Sequence, residues 1–257
     1  MTLSPERYCA VIEQTTAGLA SVVGSADPEL PIPTCPDWTL RQLATHVGRA
    51  QRWATAITAA RSAEFIEFRA VPDGKLPDEV AARGPWLTAG AARLVAAVAD
   101  AGDDEVWAFG TLTPARFWAR RMAHETTMHG ADAKLAAGEQ ISIPADVAAD
   151  GIDEWLTTMS GPLFGRPDPR PGALPPGRTM HVHATDAELG GAGEWVLSHD
   201  GDGITVRGGH EKADVALTGP AADLLLVLLR RRPASCDGVT VFGDEAVLSR
   251  WLEHTQF

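Results

Sequence analysis

The sequence predicts two domains: an all-α bundle of four or five helices, followed by a small α+β domain. Three observations carry this. The first 160 residues show helix starts and apolar helical periodicity; residues 161–178 are crowded with Pro and Gly; and from 179 onward short β-branched or alternating segments are separated by Gly-rich turns. The expected limits are 1–160 for the bundle, 161–178 for a linker without regular structure, and 179–257 for the C-terminal domain.

Ser4-Pro5-Glu6 opens the first helix, a cap residue followed by Pro at the first helical position, and the helix should run to about Val23 before Gly24. The prolines of Leu30-Pro-Ile-Pro-Thr-Cys-Pro36 forbid a helix there. Thr39-Leu-Arg-Gln42 then reads as a capping box, opening a second helix that continues to about Ala60. A third helix is expected from Pro85 to about Ala101, a fourth from Pro114 to Gly138 and a fifth from Pro144 to near Gly161. Beyond the linker, strands are expected over 179–185, 194–198, 204–207 and 215–218, a strongly apolar helix over 220–231, one more strand over 239–242 and a last helix over 245–254.

A chain of 257 residues can bury a substantial core. Its net charge of -12 repels phosphate backbones and anionic lipid surfaces, so no nucleic-acid and no membrane partner is expected. The N-terminus has no basic segment followed by an apolar one, so no signal peptide is expected. The longest apolar run, 224–229, falls far short of the roughly 20 residues that a membrane span needs. Cys9, Cys35 and Cys236 are far apart, with no CxxC, which predicts free thiols of incidental or structural role in a reducing cytoplasm. No exposed heptad demands a dimer, and a monomer is expected.

The chemistry-bearing segment is Arg120-Arg-Met-Ala-His-Glu-Thr-Thr-Met-His-Gly-Ala-Asp132 in the fourth helix. Glu125 and His129 are one turn apart on one face, with Arg121 and Asp132 within about 40° of it. Trp118 falls on the same side and marks it as inward. On the second helix, His46 shares its face with Leu43, Ala50, Trp53 and Ile57, so it also points inward. Burying unpaired charges costs several kcal/mol each, and a bound cation would offset that cost. Two imidazoles and one carboxylate with a position left open is the donor set of catalytic zinc, and it also suits iron. Each residue alone has a plainer reading: a hydrogen-bonded core histidine, or a helix-surface Glu/His pair. Their joint occurrence on two inward faces brings the metal level with the plainer reading, and spacing alone takes the choice no further.

His124 gives His-Glu-x-x-x-His, one residue longer than the H-E-x-x-H of zinc proteases, and lies about 100° from Glu125, outside the ligand sphere. His181-Val-His183 puts two imidazoles on one face of a strand, an arrangement read first as a surface or interdomain feature and second as a metal site. Arg230-Arg-Arg232 either caps its helix or offers a cation to an anionic substrate. There is no GxGxxG, Walker loop or GxSxG.

Asp37-Trp-Thr-Leu-Arg-Gln-Leu-Ala-Thr-His46, followed by Arg121-Met-Ala-His-Glu-Thr-Thr-Met-His129, resembles the mycothiol-dependent maleylpyruvate isomerase family, whose N-terminal domain is a DinB-like metal-binding bundle. The later segments His181-Val-His-Ala-Thr-Asp186, Glu194-Trp195, Ala213-Asp-Val-Ala-Leu-Thr-Gly-Pro220 and Val241-Phe-Gly-Asp244 are similar to the family's sterol-carrier-like α+β domain. The resemblance implies a metal triad of His46, Glu125 and His129, zinc as the ion, mycothiol or a similar small thiol as cosubstrate, and an actinobacterial source. It also implies a needed arginine in the C-terminal domain, matched best by Arg231. Asp132 and His124 are then the candidates for residues behind the ligands. Arg231, Arg121 and Trp53 are the candidates for contact with thiol or substrate, and Arg231 is also the catalytic candidate. Gly130 and Ala131 stand where the family often has Arg and a bulky residue, which is expected to widen the pocket or to remove a substrate contact.

The function expected is a zinc-dependent thiol transferase or isomerase acting on a small electrophile. The alternatives are a non-catalytic metal-containing protein that binds a small ligand, and a metal-dependent hydrolase.

Overall fold

The computed structural model describes residues 2–159, 170–201 and 203–255. The chain divides into two compact units, one spanning Ser4–Ile141 and the other beginning at Ser142.

The first unit is the helical bundle: α1 (Pro5–Ser25), α2 (Leu40–Ala59), α3 (Val80–Ala101) and α4 (Arg116–Ala136). The starts follow the sequence. Ser4 Oγ accepts from the Arg7 N–H ahead of Pro5, and Thr39 with Gln42 forms the expected capping box at α2. The third helix begins at Val80, five residues before the expected start, with Pro85 inside it. Pro85 removes only the bond its own nitrogen would give to Ala81, and so close to the helix start the loss is absorbed.

Between α3 and α4 lies a hairpin that the sequence pattern did not announce, β1 (Glu105–Ala108) and β2 (Thr111–Pro114), antiparallel with Ala108 opposite Thr111. Its two-residue turn, Phe109-Gly110, has φ of 49° and 95°, both in the left-handed region.

Helix α4 packs on both α1 and α2, and every residue from Arg121 to Ala133 is buried. An apolar stripe alone therefore does not describe it; its polar side chains lie inside the bundle. Gly48 on α2 is required by packing, because a Cβ there would sit 2.1 Å from the Trp86 ring of α3.

The second unit holds α5 (Ala145–Glu154), a π-helical turn at Trp155–Met159, a short helix α6 (Arg170–Ala173), the strands β3 (Thr179–Ala184), β4 (Glu194–His199), β5 (Ile204–Gly208), β6 (Val215–Gly219) and β7 (Thr240–Gly243), and the helices α7 (Ala221–Leu228) and α8 (Glu245–His254). The sheet order is β5-β4-β3-β6-β7; the β3–β6 pair is parallel and the others are antiparallel. Met180, Val182, Trp195, Leu197, Val215 and Leu217 are buried on one face, and α7 packs on β3 and β6. The opposite face carries His181, His183 and Glu194, as the two-residue period of a strand demands.

The sequence placed the fifth helix with the bundle, but α5 packs on α7 and groups with the second unit, so the division falls near 141 rather than 160. Most of the expected linker, 161–178, lies outside the described residues or forms α6. Among the described residues no helix is long and apolar enough to cross a membrane.

Candidate metal centre

Three side chains converge between α2 and α4. Glu125 Oε1 lies 2.8 Å from His46 Nε2 and 3.3 Å from His129 Nε2. The ligand-capable atoms of His46, Glu125 and His129 all fall within 4.8 Å of one another. Zinc–nitrogen and zinc–oxygen bonds of about 2.0–2.1 Å in a tetrahedron put neighbouring donors roughly 3.3 Å apart, so small shifts would seat an ion among these atoms.

Two of the three donors, Glu125 and His129, are held from behind. The other oxygen of Glu125 accepts from Arg121 Nη2 at 2.9 Å, one turn back along α4. On the far side of the His129 ring, Nδ1 lies 2.9 Å from Asp132 Oδ2, which leaves Nε2 aimed at Glu125. Asp132 is fully buried and takes two more contacts: Thr34 Oγ1 donates to Oδ1 at 2.6 Å, and Cys35 Sγ lies 3.4 Å from Oδ2. Both partners come from the proline-rich loop before α2. That loop is tied by backbone bonds from Ile32 N to Trp38 O and from Trp38 N to Cys35 O, with Asp37 at φ 70°.

The same loop delivers Trp38, whose ring stacks over His129 at 5.8 Å between centroids and tilts against His46 at 4.9 Å. Phe68 lies 5.9 Å from His46 on another side. The His46 side chain is 27% exposed, against 9–10% for His129 and Glu125, so the centre opens to solvent along the His46 edge.

Burial alone would raise the Glu125 pKa, but hydrogen bonds from His129 and His46 and the charges of His129 and Arg121 hold it well below its ordinary 4.5. Burial alone would lower that of His129, yet its contacts with Asp132, Cys35 and Glu125 hold it well above its ordinary 6.5. The two shifts act together, favouring the charged carboxylate of Glu125 beside the charged imidazole of His129.

The other residues singled out by sequence fall in several places. His124 faces α1, its ring edge-on to Tyr8 at 6.1 Å, away from the donors. Trp53 is packing: its Nε1 donates to Ile66 O at 2.6 Å, and its ring meets Trp107 and Trp118, so a role as a thiol or substrate contact has no free polar atom behind it. Gly130 faces α1 across from the Thr15 carbonyl, 3.9 Å from where a Cβ would stand, so its smallness does not widen the centre. Arg231 belongs to the second unit, just past the end of α7. Its backbone N–H caps Leu226 O at 2.7 Å and its Nη1 donates to Leu229 O at 2.8 Å.

Sequence reasoning missed Thr34, Trp38 and Phe68, and it took Cys35 as incidental although Cys35 touches the centre. The capping box at Thr39 fixed where α2 begins, but nothing local indicated that the loop before it folds back on α4, almost a hundred residues onward in the chain.

Residues 9–134 match the family model described as "Mycothiol maleylpyruvate isomerase N-terminal domain", and residues 146–250 match the "MDMPI C-terminal domain". Together these matches account for most of the chain, and it belongs to the mycothiol-dependent maleylpyruvate isomerase family. Its fold is similar to a crystal structure of the mycothiol-dependent maleylpyruvate isomerase, with a TM-score of 0.59 and 17% identity over 94% of this chain and 95% of that one. A histidine-to-alanine mutant of the same isomerase gives a TM-score of 0.60 and 16% identity over the same shares. Comparison with curated proteins gives no match.

Proposed function

We propose that this member of the family is an enzyme that holds a divalent metal, zinc, at His46, Glu125 and His129, and uses mycothiol or a similar small thiol to isomerise an electrophilic small molecule of the maleylpyruvate kind, or transfers the thiol to it. The observation that carries the reading is a single carboxylate oxygen facing two imidazole Nε2 atoms, with Glu125 and His129 braced from their far sides. Family membership supports the thiol and the substrate class.

When bound, the metal supplies the Lewis acidity that keeps a thiol ionised near neutral pH. The remaining work falls to this chain's own side chains. Asp132 holds the His129 ring in the tautomer that leaves Nε2 free to bind, once the imidazole has given up its proton. Arg121 keeps Glu125 ionised and fixes its rotamer. Trp38 and Phe68 flank the open His46 edge with apolar surface, which strips water from an entering thiol and strengthens electrostatics at the centre. In the isomerisation, the thiolate sulfur adds to one carbon of the activated double bond, the former double bond rotates as a single bond, and elimination returns the thiolate.

Asp132 bears on the choice between an enzyme and a closed structural site. A fourth protein ligand would close the position that a thiol needs, and Asp132 is committed to Nδ1 of His129, Thr34 and Cys35 on the side away from the other donors. Arg231 is proposed, on the family resemblance, as the cation for a substrate carboxylate, a group that an arginine fork suits. Free cysteines and a small-thiol cosubstrate suit a reducing cytoplasm, and the proposed unit is a monomer.

The test is activity on maleylpyruvate with and without mycothiol, on zinc-loaded and metal-stripped protein. The reading predicts turnover that needs both. Turnover that needs zinc but ignores the thiol would replace it with a hydrolase.

A further inference from the structure

The exposed face of the C-terminal sheet gathers a second donor set that the proposed function does not use. His181 and His183 sit two residues apart on β3 and share a face; Glu194 on β4 is the direct cross-strand partner of His183. His210 arrives from the loop after β5, where Gly209 at φ 143° helps turn the chain back.

All three imidazoles close on one carboxylate. His181 Nε2 lies 2.7 Å from Glu194 Oε2, His183 Nδ1 lies 2.9 Å from Oε1, and His210 Nδ1 lies 3.0 Å from Oε2. The four ligand-capable atoms are all within 4.8 Å of one another. His181 is buried, and the His183 side chain is 29% exposed. The cluster stands at one wall of a cleft of about 550 Å³, whose other walls include Ala216, Thr218 and Phe242.

A hydrogen-bonded cluster explains only part of this arrangement. His181 and His210 make good hydrogen bonds to Glu194, but His183 Nδ1, close as it is, lies off the line that such a bond requires. It has no hydrogen-bond partner among the described residues despite being shielded from solvent. A buried polar nitrogen without a hydrogen bond is unfavourable, and a cation among the four donors would satisfy it together with the carboxylate charge.

From this geometry we infer that His181, His183, His210 and Glu194 form a second metal site, independent of the bundle centre, for a divalent first-row transition ion. Three imidazoles and one carboxylate select zinc, copper, nickel or iron over calcium and magnesium, which prefer all-oxygen shells. The donor set carries one negative charge, and the cleft gives the ion an entry path.

The experiment uses the full chain and zinc alone as the probe. Wild type, the double variant His46→Ala/His129→Ala and the double variant His183→Ala/His210→Ala are equilibrated with micromolar zinc, gel-filtered and measured for zinc per chain, with circular dichroism confirming the fold. The inference predicts about one ion retained by His46→Ala/His129→Ala, and one ion fewer in His183→Ala/His210→Ala than in wild type. The bundle centre can fail separately: wild type would then hold a single ion that only the His183→Ala/His210→Ala change removes. A folded His46→Ala/His129→Ala protein without zinc overturns the second site, as does equal zinc in wild type and His183→Ala/His210→Ala. Because His210 lies largely in solvent, His210→Ala alone should leave the fold intact, and it should weaken zinc binding to this site about tenfold or more. Unchanged affinity in that variant overturns the inference too.

Discussion

Two regions of this molecule solve a similar problem in different ways. Between α2 and α4, Glu125 is shared by two imidazoles; on the exposed face of the sheet, Glu194 is shared by three. The bundle centre is braced, and it opens to solvent along the His46 edge. Arg121 holds the spare oxygen of Glu125, Asp132 holds the back of His129, and Asp132 is held in turn by Thr34 and Cys35. The sheet cluster has a wet edge at His210 and leaves His183 Nδ1 without a hydrogen bond. What separates the two is pre-organisation rather than the identity of the donors. In the bundle a second layer of side chains fixes Glu125 and His129, whereas on the sheet only strand register and one loop fix the donors.

The largest expected effect comes from removing a donor at the braced centre. His129→Ala should abolish both zinc at that centre and thiol-dependent turnover, measured by the loss of one zinc per chain and by single-turnover assays. Full activity in that variant would break the contrast at its root. Next comes the brace itself. Asp132→Asn should weaken zinc binding at the bundle centre by about 10–100-fold while leaving zinc at the sheet untouched, read from competition with a chromophoric chelator.

Packing around the centre supplies a third test. Gly48→Ala drives a methyl into the Trp86 ring and should destabilise the chain by about 1–3 kcal/mol in urea unfolding. An unchanged midpoint would mean that α2 and α3 separate more easily than the bundle suggests.

The fourth test is pH. In metal-free protein the raised pKa of His129 adds stability that is fully present below its unfolded value near 6.5 and is lost as pH climbs through the folded value. The depressed pKa of Glu125 adds stability that is present above about 4.5 and is lost as pH falls through its folded value. Metal-free protein should therefore melt highest between these limits and weaken on the alkaline side. Zinc binding requires that His129 lose its proton, so the stabilisation that zinc confers should grow with pH. Parallel melting curves with and without zinc, at every pH, would contradict this. The smallest effect is expected at the wet edge of the sheet cluster: without metal, His210→Ala should change stability by less than about 0.5 kcal/mol, measured by the same unfolding series.

The sequence made the helices legible wherever chemistry is local. Ser4-Pro5 and Thr39 with Gln42 marked helix starts to within a residue, and the face shared by Glu125 and His129 followed from the helical period. The hairpin β1–β2 was not legible, because its turn places Phe109 at positive φ where an Asn or Gly would have announced it. The fifth helix showed its apolar face but not its partner; amphipathicity says that a surface is buried, not against what. The brace was hidden for the same reason. Asp132 could be placed on the inward side of α4, yet Thr34, Cys35 and Trp38 reach the centre only through the fold of a proline-rich loop that no periodicity describes.

Anomalous diffraction at the zinc absorption edge, from crystals of the zinc-loaded chain, would show whether one metal ion sits at the braced centre. A peak is expected about 2.0–2.2 Å from His46 Nε2, a Glu125 oxygen and His129 Nε2, with Asp132 still on His129 Nδ1. A peak on the other side of the His129 ring, among Cys35, Asp132 and Nδ1, or no peak in the bundle at all, would contradict it.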